Sequence, residues 1–315
     1  MINVLITSMG SNTSIGVAKA LRLDKDVPVT LIGTDTFPAN LSAGSSFVDL
    51  FFQVPYSNAI GYQQALLDII EKHKIHCVIP IHDLEIAKIA EIASQFSDKT
   101  FWAVNHSAII ELCNDKKAIN KLLQQHQVAV PLMFEPSEDI IYPAIYKPIH
   151  GVSSRGIKMI SNAKAAIESL DMQNGFLQQF VTGKEYTVDC YSSYQDDFFN
   201  CCVRERLETK DGISTKGMTV MYDQLDGICR KIHSLLNFKG ASNIQFIVQD
   251  DIPYFIEINP RFSGAGILSY HAGFNSPLFT VLESIRSPLF KKIREMRVRT
   301  AVIMTRYWNE NFYEA

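Results

Sequence analysis

A chain of 315 residues with 47% apolar residues, 20% charged residues and a formal net charge of -3 has the make-up of a soluble globular protein with room for two or three cores. That balance gives no case for a nucleic-acid or membrane partner, and no segment approaches the roughly 18 apolar residues of a membrane helix. The N-terminal "MINVLITSMG" reads as a strand and not as a signal peptide, and the six cysteines (Cys77, Cys113, Cys190, Cys201, Cys202, Cys229) lack C-x-x-C spacing, which points to reduced thiols in a cytoplasmic protein.

In chain order, residues 2–7 form a short apolar run that reads as a buried parallel strand, closed by Ser8, Gly10 and Ser11. Helical spacing follows over 15–23, then a strand over 27–35 and an amphipathic helix over 61–75. A third strand over 76–81, a helix over 83–95 and a fourth strand over 99–104 continue the alternation. Alternating strands and helices predict a Rossmann-like parallel α/β domain over 1–105, with helices on both faces of its sheet. "GSNTSIG" (10–16) opens its first helix, and Asp35 follows about 20 residues later, as in a dinucleotide site. The spacing is G-x5-G and not G-x-G-x-x-G, so an ordinary strand–helix turn competes with an NAD site.

Residues 107–128 are helical with a break around Asn114, and Pro131 and Pro136 mark a connection. Short strands over 142–149 and 156–160 flank a Gly/Ser loop, followed by a helix over 162–170 and a strand over 175–181. From Lys184 the strands lengthen ("KEYTVDCYSS", "FFNCCVRERL", "SNIQFIV", "PYFIEIN") into a mostly antiparallel α+β region.

Several motifs carry chemistry. In "FIEINPRFSG" (255–264), strand alternation puts Phe255, Glu257, Asn259 and Arg261 on one face and turns Ile256 and Ile258 to the core. A hairpin turn centred on Asp251 sets Gln245 across from Glu257. Gln245, Glu257 and Asn259 then offer oxygens suited to a Mg²⁺ that also binds phosphates; a polar strand face is the competing reading. "YKPIHGVSSRG" holds Lys147 at a strand end, then Gly151 and Gly156 around Ser153, Ser154 and Arg155. Such a loop can turn backbone N–H groups and side-chain donors toward phosphate oxygens, or be a solvated hairpin loop; it is no Walker A loop. Arg204, Arg206 and Lys216 surround a Gly-bearing loop that suits a carboxylate substrate, or a solvated hairpin tip. His82, Asp83 and Glu85 end a parallel strand, where ligands of open α/β sheets gather. No G-x-S-x-G pentapeptide or H-x3-H pattern occurs.

Taken in order, the parallel domain, "CNDK", "YKP" with its loop, "LQQFVTGKEYTVD" and "NIQF…FIEINPRFSG" resemble the ATP-grasp superfamily, in its carbamoyl phosphate synthase large-subunit-like, carboxylate–amine ligase branch. The resemblance implies a pre-ATP-grasp domain (1–105), a linker helix with a small lid subdomain (106–180) and a mixed-sheet body with the metal site (181–315). It implies that Lys116 and Lys147 contact nucleotide phosphates, and that residues 151–156 fold over them. Gln178 and Gln179 would belong to the hinge, with the backbone of Gln179 and Val181 meeting adenine, and Glu185 would meet the ribose. Gln245, Glu257 and Asn259 would ligate Mg²⁺ or Mn²⁺, and Arg261 would steady the transferred phosphoryl group. Many relatives carry Glu where Gln178 stands. With Gln245 and Asn259 neutral, weak metal binding without nucleotide is expected.

The implied activity is an ATP- and Mg²⁺-dependent ligase acting on a small acid and an amine. It would form an acyl phosphate, then an amide, ADP and phosphate. A homodimer is common among such relatives. The rival readings are an NAD-dependent oxidoreductase built on the first domain and a non-catalytic ATP-binding module.

Overall fold

Strand β1 (Ile2–Ile6) turns Val4 and Ile6 to one core and Leu5 to another, so both faces of its sheet are covered. The coordinates are a computed structural model, which describes residues 1–96, 99–135, 140–151, 156–161, 170–210, 212–307 and 309–314. β1 is central in a five-stranded parallel sheet with β2 (Val29–Asp35), β3 (Leu50–Gln53), β4 (Cys77–Ile79) and β5 (Phe101–Trp102), in the order β3-β2-β1-β4-β5. Helix α1 (Asn12–Leu21), capped by Ser11, packs Val17 and Leu21 under one face. Helices α2 (Tyr62–His73) and α3 (Asp83–Gln95) pack Leu66 and Ile89 on the other. The short edge strand β3, half-exposed, was not anticipated from sequence.

The expected break falls at Asp115. This residue ends α4 (Ser107–Asn114) in extended backbone and caps α5 (Lys116–Gln125), its carboxylate accepting the Ala118 N–H at 2.8 Å. A small antiparallel sheet follows: β6 (Met133–Phe134), β7 (Ala144–Pro148), β8 (Lys158–Ile160) and β9 (Gly175–Gln179), ordered β6-β9-β7-β8 around Phe134, Tyr146 and Leu177. Helices α4 and α5 pack on the core of the last sheet through Cys113, Ile119 and Leu123. The helix expected over 162–170 lies, but for Leu170, outside the described residues.

The six-stranded antiparallel sheet runs β14-β13-β10-β11-β12-β15, from β10 (Lys184–Ser192), β11 (Phe199–Lys210), β12 (Ile213–Val220), β13 (Gly240–Gln249), β14 (Ile252–Asn259) and β15 (Ile303–Thr305). One face packs on α6 (Asp223–Leu235) through Leu225 and Ile232. Helices α7 (Ile267–His271), α8 (Ser276–Ser284) and α9 (Leu289–Ile293) then return to the first sheet, where Phe279, Val281 and Phe290 share a core with α1. All six cysteines are free and buried. Among the described residues, no helix is long and apolar enough to cross a membrane.

The β13–β14 hairpin corrects one expectation. Asp250 and Asp251 both take positive φ (50° and 61°), making a two-residue turn that pairs Gln249 with Ile252. Continued without interruption, that register would set Gln245 against Ile256. A bulge between Gln245 and Phe246 restores the pairing of Gln245 with Glu257. The bulge also breaks the expected alternation. Phe255 is fully buried in the core beside Ile258, and Ile256 lines the cleft beside Glu257.

Candidate active site

The three sheets enclose a cleft of about 900 Å³. Its floor is the face of the antiparallel sheet opposite α6, where alternate residues of β10, β11, β13 and β14 point the same way. Glu257 is at the centre of this floor. Its Oε1 accepts from Gln245 Nε2 at 2.7 Å and from Asn259 Nδ2 at 3.1 Å. Gln245 Oε1 in turn accepts from Arg206 Nη1 at 2.8 Å, and Arg206 pairs with Glu185 at 3.3 Å. On the other side Asn259 Oδ1 accepts from Arg261 Nη2 at 3.3 Å, and Arg261 grips Asp83 with Nε at 2.7 Å and Nη2 at 3.1 Å. Six side chains from five elements, with Arg261 just past β14, form one chain of polar contacts.

One carboxylate flanked by two amides fits a hard divalent cation only if further oxygens arrive with a ligand such as a phosphate. Among the described residues, no group of three His, Cys, Asp or Glu could hold a metal alone. Asn243, two residues before Gln245 on the same strand face, was missed in the sequence. Its Oδ1 accepts from Asn259 at 3.2 Å, and its Nδ2 donates to Arg261 O at 3.1 Å.

Two lysines face Glu257 across the cleft. Lys147, at the end of β7, is buried, and its ammonium is pushed down to about 8 by burial, with Glu257 opposing and Lys116 adding to the shift. Lys116 opens α5; burial lowers it as well, against the attraction of Glu257 and Asp83. Its Nζ donates to Gly151 O at 2.7 Å, which ties the start of the Gly/Ser loop to α5. Gly156 closes that loop at φ +78°, where its backbone passes so near Pro148 that a Cβ would come within 2.9 Å. Ser153, Ser154 and Arg155 lie outside the described residues.

At the end of β9, Gln178 is buried, its Nε2 donating to Asn120 Oδ1 and Pro131 O, both at 3.2 Å. The Gln179 N–H is committed to Leu132 O at 2.7 Å, and its side-chain Oε1 accepts the Leu132 N–H at 3.3 Å. Among the described residues, the Val181 N–H has no hydrogen-bond partner. Gln179, Val181 and Glu185 all line the cleft.

Three residues expected near a substrate are engaged elsewhere. Glu85 turns inward and accepts from Ser8 Oγ at 2.5 Å and Tyr62 OH at 2.7 Å. Lys216 pairs with Glu208 at 2.7 Å on the exposed side of its hairpin, off the cleft. Arg204 lines the cleft but is 1% exposed, bound to Asp189 through Nε at 2.8 Å and Nη2 at 3.0 Å, and to Ser263 Oγ at 2.8 Å. The Asp189 carboxylate holds Arg204 above the usual guanidinium range, outweighing burial, which pulls it down.

The loop after β1 is likewise filled by the chain itself. Asp35 accepts the Gly10 N–H at 2.6 Å and the Phe37 N–H at 3.1 Å. Gly44 packs so closely over this loop that a Cβ would fall 1.8 Å from Met9 O. Neither leaves a Gly-rich turn open for a pyrophosphate, as an NAD site requires.

Comparison with known proteins agrees with this geometry. The family described as an ATP-grasp domain matches residues 113–265, and the PylC-like N-terminal domain family matches residues 4–104. Residues 113–265 thus carry an ATP-grasp domain, and the chain is similar to ATP-dependent ligases that form C–N bonds. A D-alanine–D-alanine ligase of Francisella philomiragia is 24% identical over 267 residues, covering 75% of this chain and 88% of that one. A carbamoyl phosphate synthase large chain of Clostridium botulinum is 24% identical over 277 residues, and the match spans 79% of this chain but only 25% of the synthase. The L-amino acid ligase structure from Bacillus licheniformis superposes with a TM-score of 0.70 at 18% identity, covering 95% of this chain and 78% of that one, which establishes a common fold.

Proposed function

We propose that this chain joins a small carboxylic acid to an amine, using Mg²⁺ and ATP and passing through an acyl phosphate. One observation carries the reading. Lys116, Lys147, Arg261 and the Glu257 cluster converge on a single cleft, and among the described residues no Ser, Thr or Cys lining it is hydrogen-bonded to a His or a carboxylate. Phosphoryl transfer asks for positioning and charge neutralisation and needs no protein nucleophile.

In this reading adenine sits at the hinge against the Gln179 carbonyl and the Val181 N–H, with the ribose at Glu185. Glu257, Asn259 and Gln245 would hold Mg²⁺, which would supply charge neutralisation on the phosphates. Lys116 and Lys147 hold the phosphate oxygens, and Arg261, steadied by Asp83, faces the transferring group. The acid's carboxylate attacks the γ-phosphorus and ADP leaves. The amine then attacks the acyl carbon and phosphate leaves. The acid and amine occupy the end of the cleft between Asp83 and Ser263, with Arg204 and Asp189 beneath. The six buried free thiols fit a reducing, cytoplasmic setting.

The test is a screen of small acids and amines in pairs for phosphate release from ATP, run beside Glu257→Gln. A productive pair must release phosphate with the wild type. Glu257→Gln must lose at least about a thousandfold in rate while ADP binding persists. Full turnover by that variant would remove Glu257 from its role.

A further inference from the structure

We infer that Arg206, which the sequence groups with the acceptor loop, is a positioning residue of the Glu257 cluster and acts through Gln245. The inference rests on the proposed role of Glu257 as the cation-binding carboxylate. A guanidinium can only donate hydrogen bonds and a carboxylate can only accept them. Gln245 lies between the two, with Arg206 Nη1 at 2.8 Å from its Oε1 and Glu257 Oε1 at 2.7 Å from its Nε2. Its amide therefore has a single allowed orientation, fixed from both sides. Asn259 is held in the same way between Arg261 and Glu257.

In this arrangement both amides turn their NH₂ groups to Glu257 and their oxygens to guanidinium groups. A cation shared with Glu257 needs the oxygens. Loading it requires the amides to turn over, which breaks the Arg206–Gln245 and Arg261–Asn259 bonds; Arg261 keeps its grip on Asp83, whereas Arg206 is left with Gly212 O and with Glu185 at 3.3 Å. Arg206 has few alternatives. Its side chain is 8% exposed, it donates to Gly212 O at 2.8 Å, and its buried Nε has no partner among the described residues. Phosphate oxygens would compensate it well. A cation arriving alone brings no such compensation. Arg206 thereby makes cation loading conditional on nucleotide, and it links Glu185 at the ribose end to Glu257.

The experiment titrates Mn²⁺, followed by the electron paramagnetic resonance signal of the free ion, with and without ADP. The proteins are the wild type, Arg206→Met, Gln245→Met and the double variant. Arg206→Met should tighten nucleotide-free Mn²⁺ binding by about tenfold, but by less than about threefold when Gln245 is already Met. An equal gain in both backgrounds would mean that Arg206 acts by charge alone, and would overturn the inference. No gain in either background would overturn it too. Arg206→Lys keeps the charge without the planar fork, so it should show most of the gain here and none under the charge account. It also serves if the Met variant fails to fold. Mn²⁺–ADP binding that survives Glu257→Gln unchanged is a separate result, which would overturn the role of Glu257 itself.

Discussion

The parallel and antiparallel sheets both present polar residues to the cleft, but in different ways. The parallel sheet offers an edge of loops, and these largely satisfy themselves: Asp35 takes the Gly10 and Phe37 amides, and Glu85 takes Ser8 and Tyr62. The antiparallel sheet offers a face. There the strand ladder consumes most backbone groups, and Glu185, Arg206, Gln245, Glu257 and Asn259 pair largely with one another. A carboxylate beside a turn is therefore weak evidence of function, whereas a row of polar side chains on one sheet face is strong evidence. Asp83 is the exception at the edge, because it reaches across to Arg261.

Three substitutions probe this contrast. Lys147→Ala faces the polar sheet and should raise the KM for ATP by about 30- to 100-fold, measured in steady state; an unchanged value would end the phosphate contact. The same lysine gives a pH signature. Its ammonium is charged below about 8 and neutral above, so the KM for ATP should climb between pH 7 and 9 and stay flat in Lys147→Arg. Its link to stability has the opposite sense. Between about 8 and the ordinary 10.5 the unfolded lysine holds its proton and the folded one does not, so stability rises with pH across that window.

Asp83→Asn, where the edge of the parallel sheet reaches Arg261, should lower kcat about tenfold with little change in the KM for ATP. An unaltered kcat would confine the chemistry to the antiparallel face. Asp35→Asn should leave kcat and KM within about twofold and cost about 1–2 kcal/mol of stability, read as a drop in Tm. A large loss of activity with Tm unmoved would give the first loop a functional role and break the contrast.

Much of this was legible in the sequence. Period-2 alternation and strand–helix succession expose the two kinds of sheet, and the polar positions 257, 259 and 261 stand out in an apolar run. What stayed hidden depends on partners distant in sequence. Arg204 reads as a free cation until Asp189 and Ser263 close on it, and Glu85 as a free acid until Tyr62 does. The Gln245–Glu257 pairing was foreseen from a turn centred on one residue. The chain reaches it by a two-residue turn plus a bulge, and nothing in "YFIEIN" announces the extra residue. β3 is four residues long and half-exposed, too short for its alternation to separate it from a loop.

The helices α8 and α9 cover the α1 face of the first sheet with Phe279, Val281 and Phe290. During synthesis that face leaves the ribosome with α1 alone to cover it, and the rest of its cover follows on the order of ten seconds or more later. The opening segment, cut free, would keep an apolar surface in water and tend to aggregate. One core shared by segments so far apart in sequence makes the first sheet a poor separable module and a natural client for chaperones.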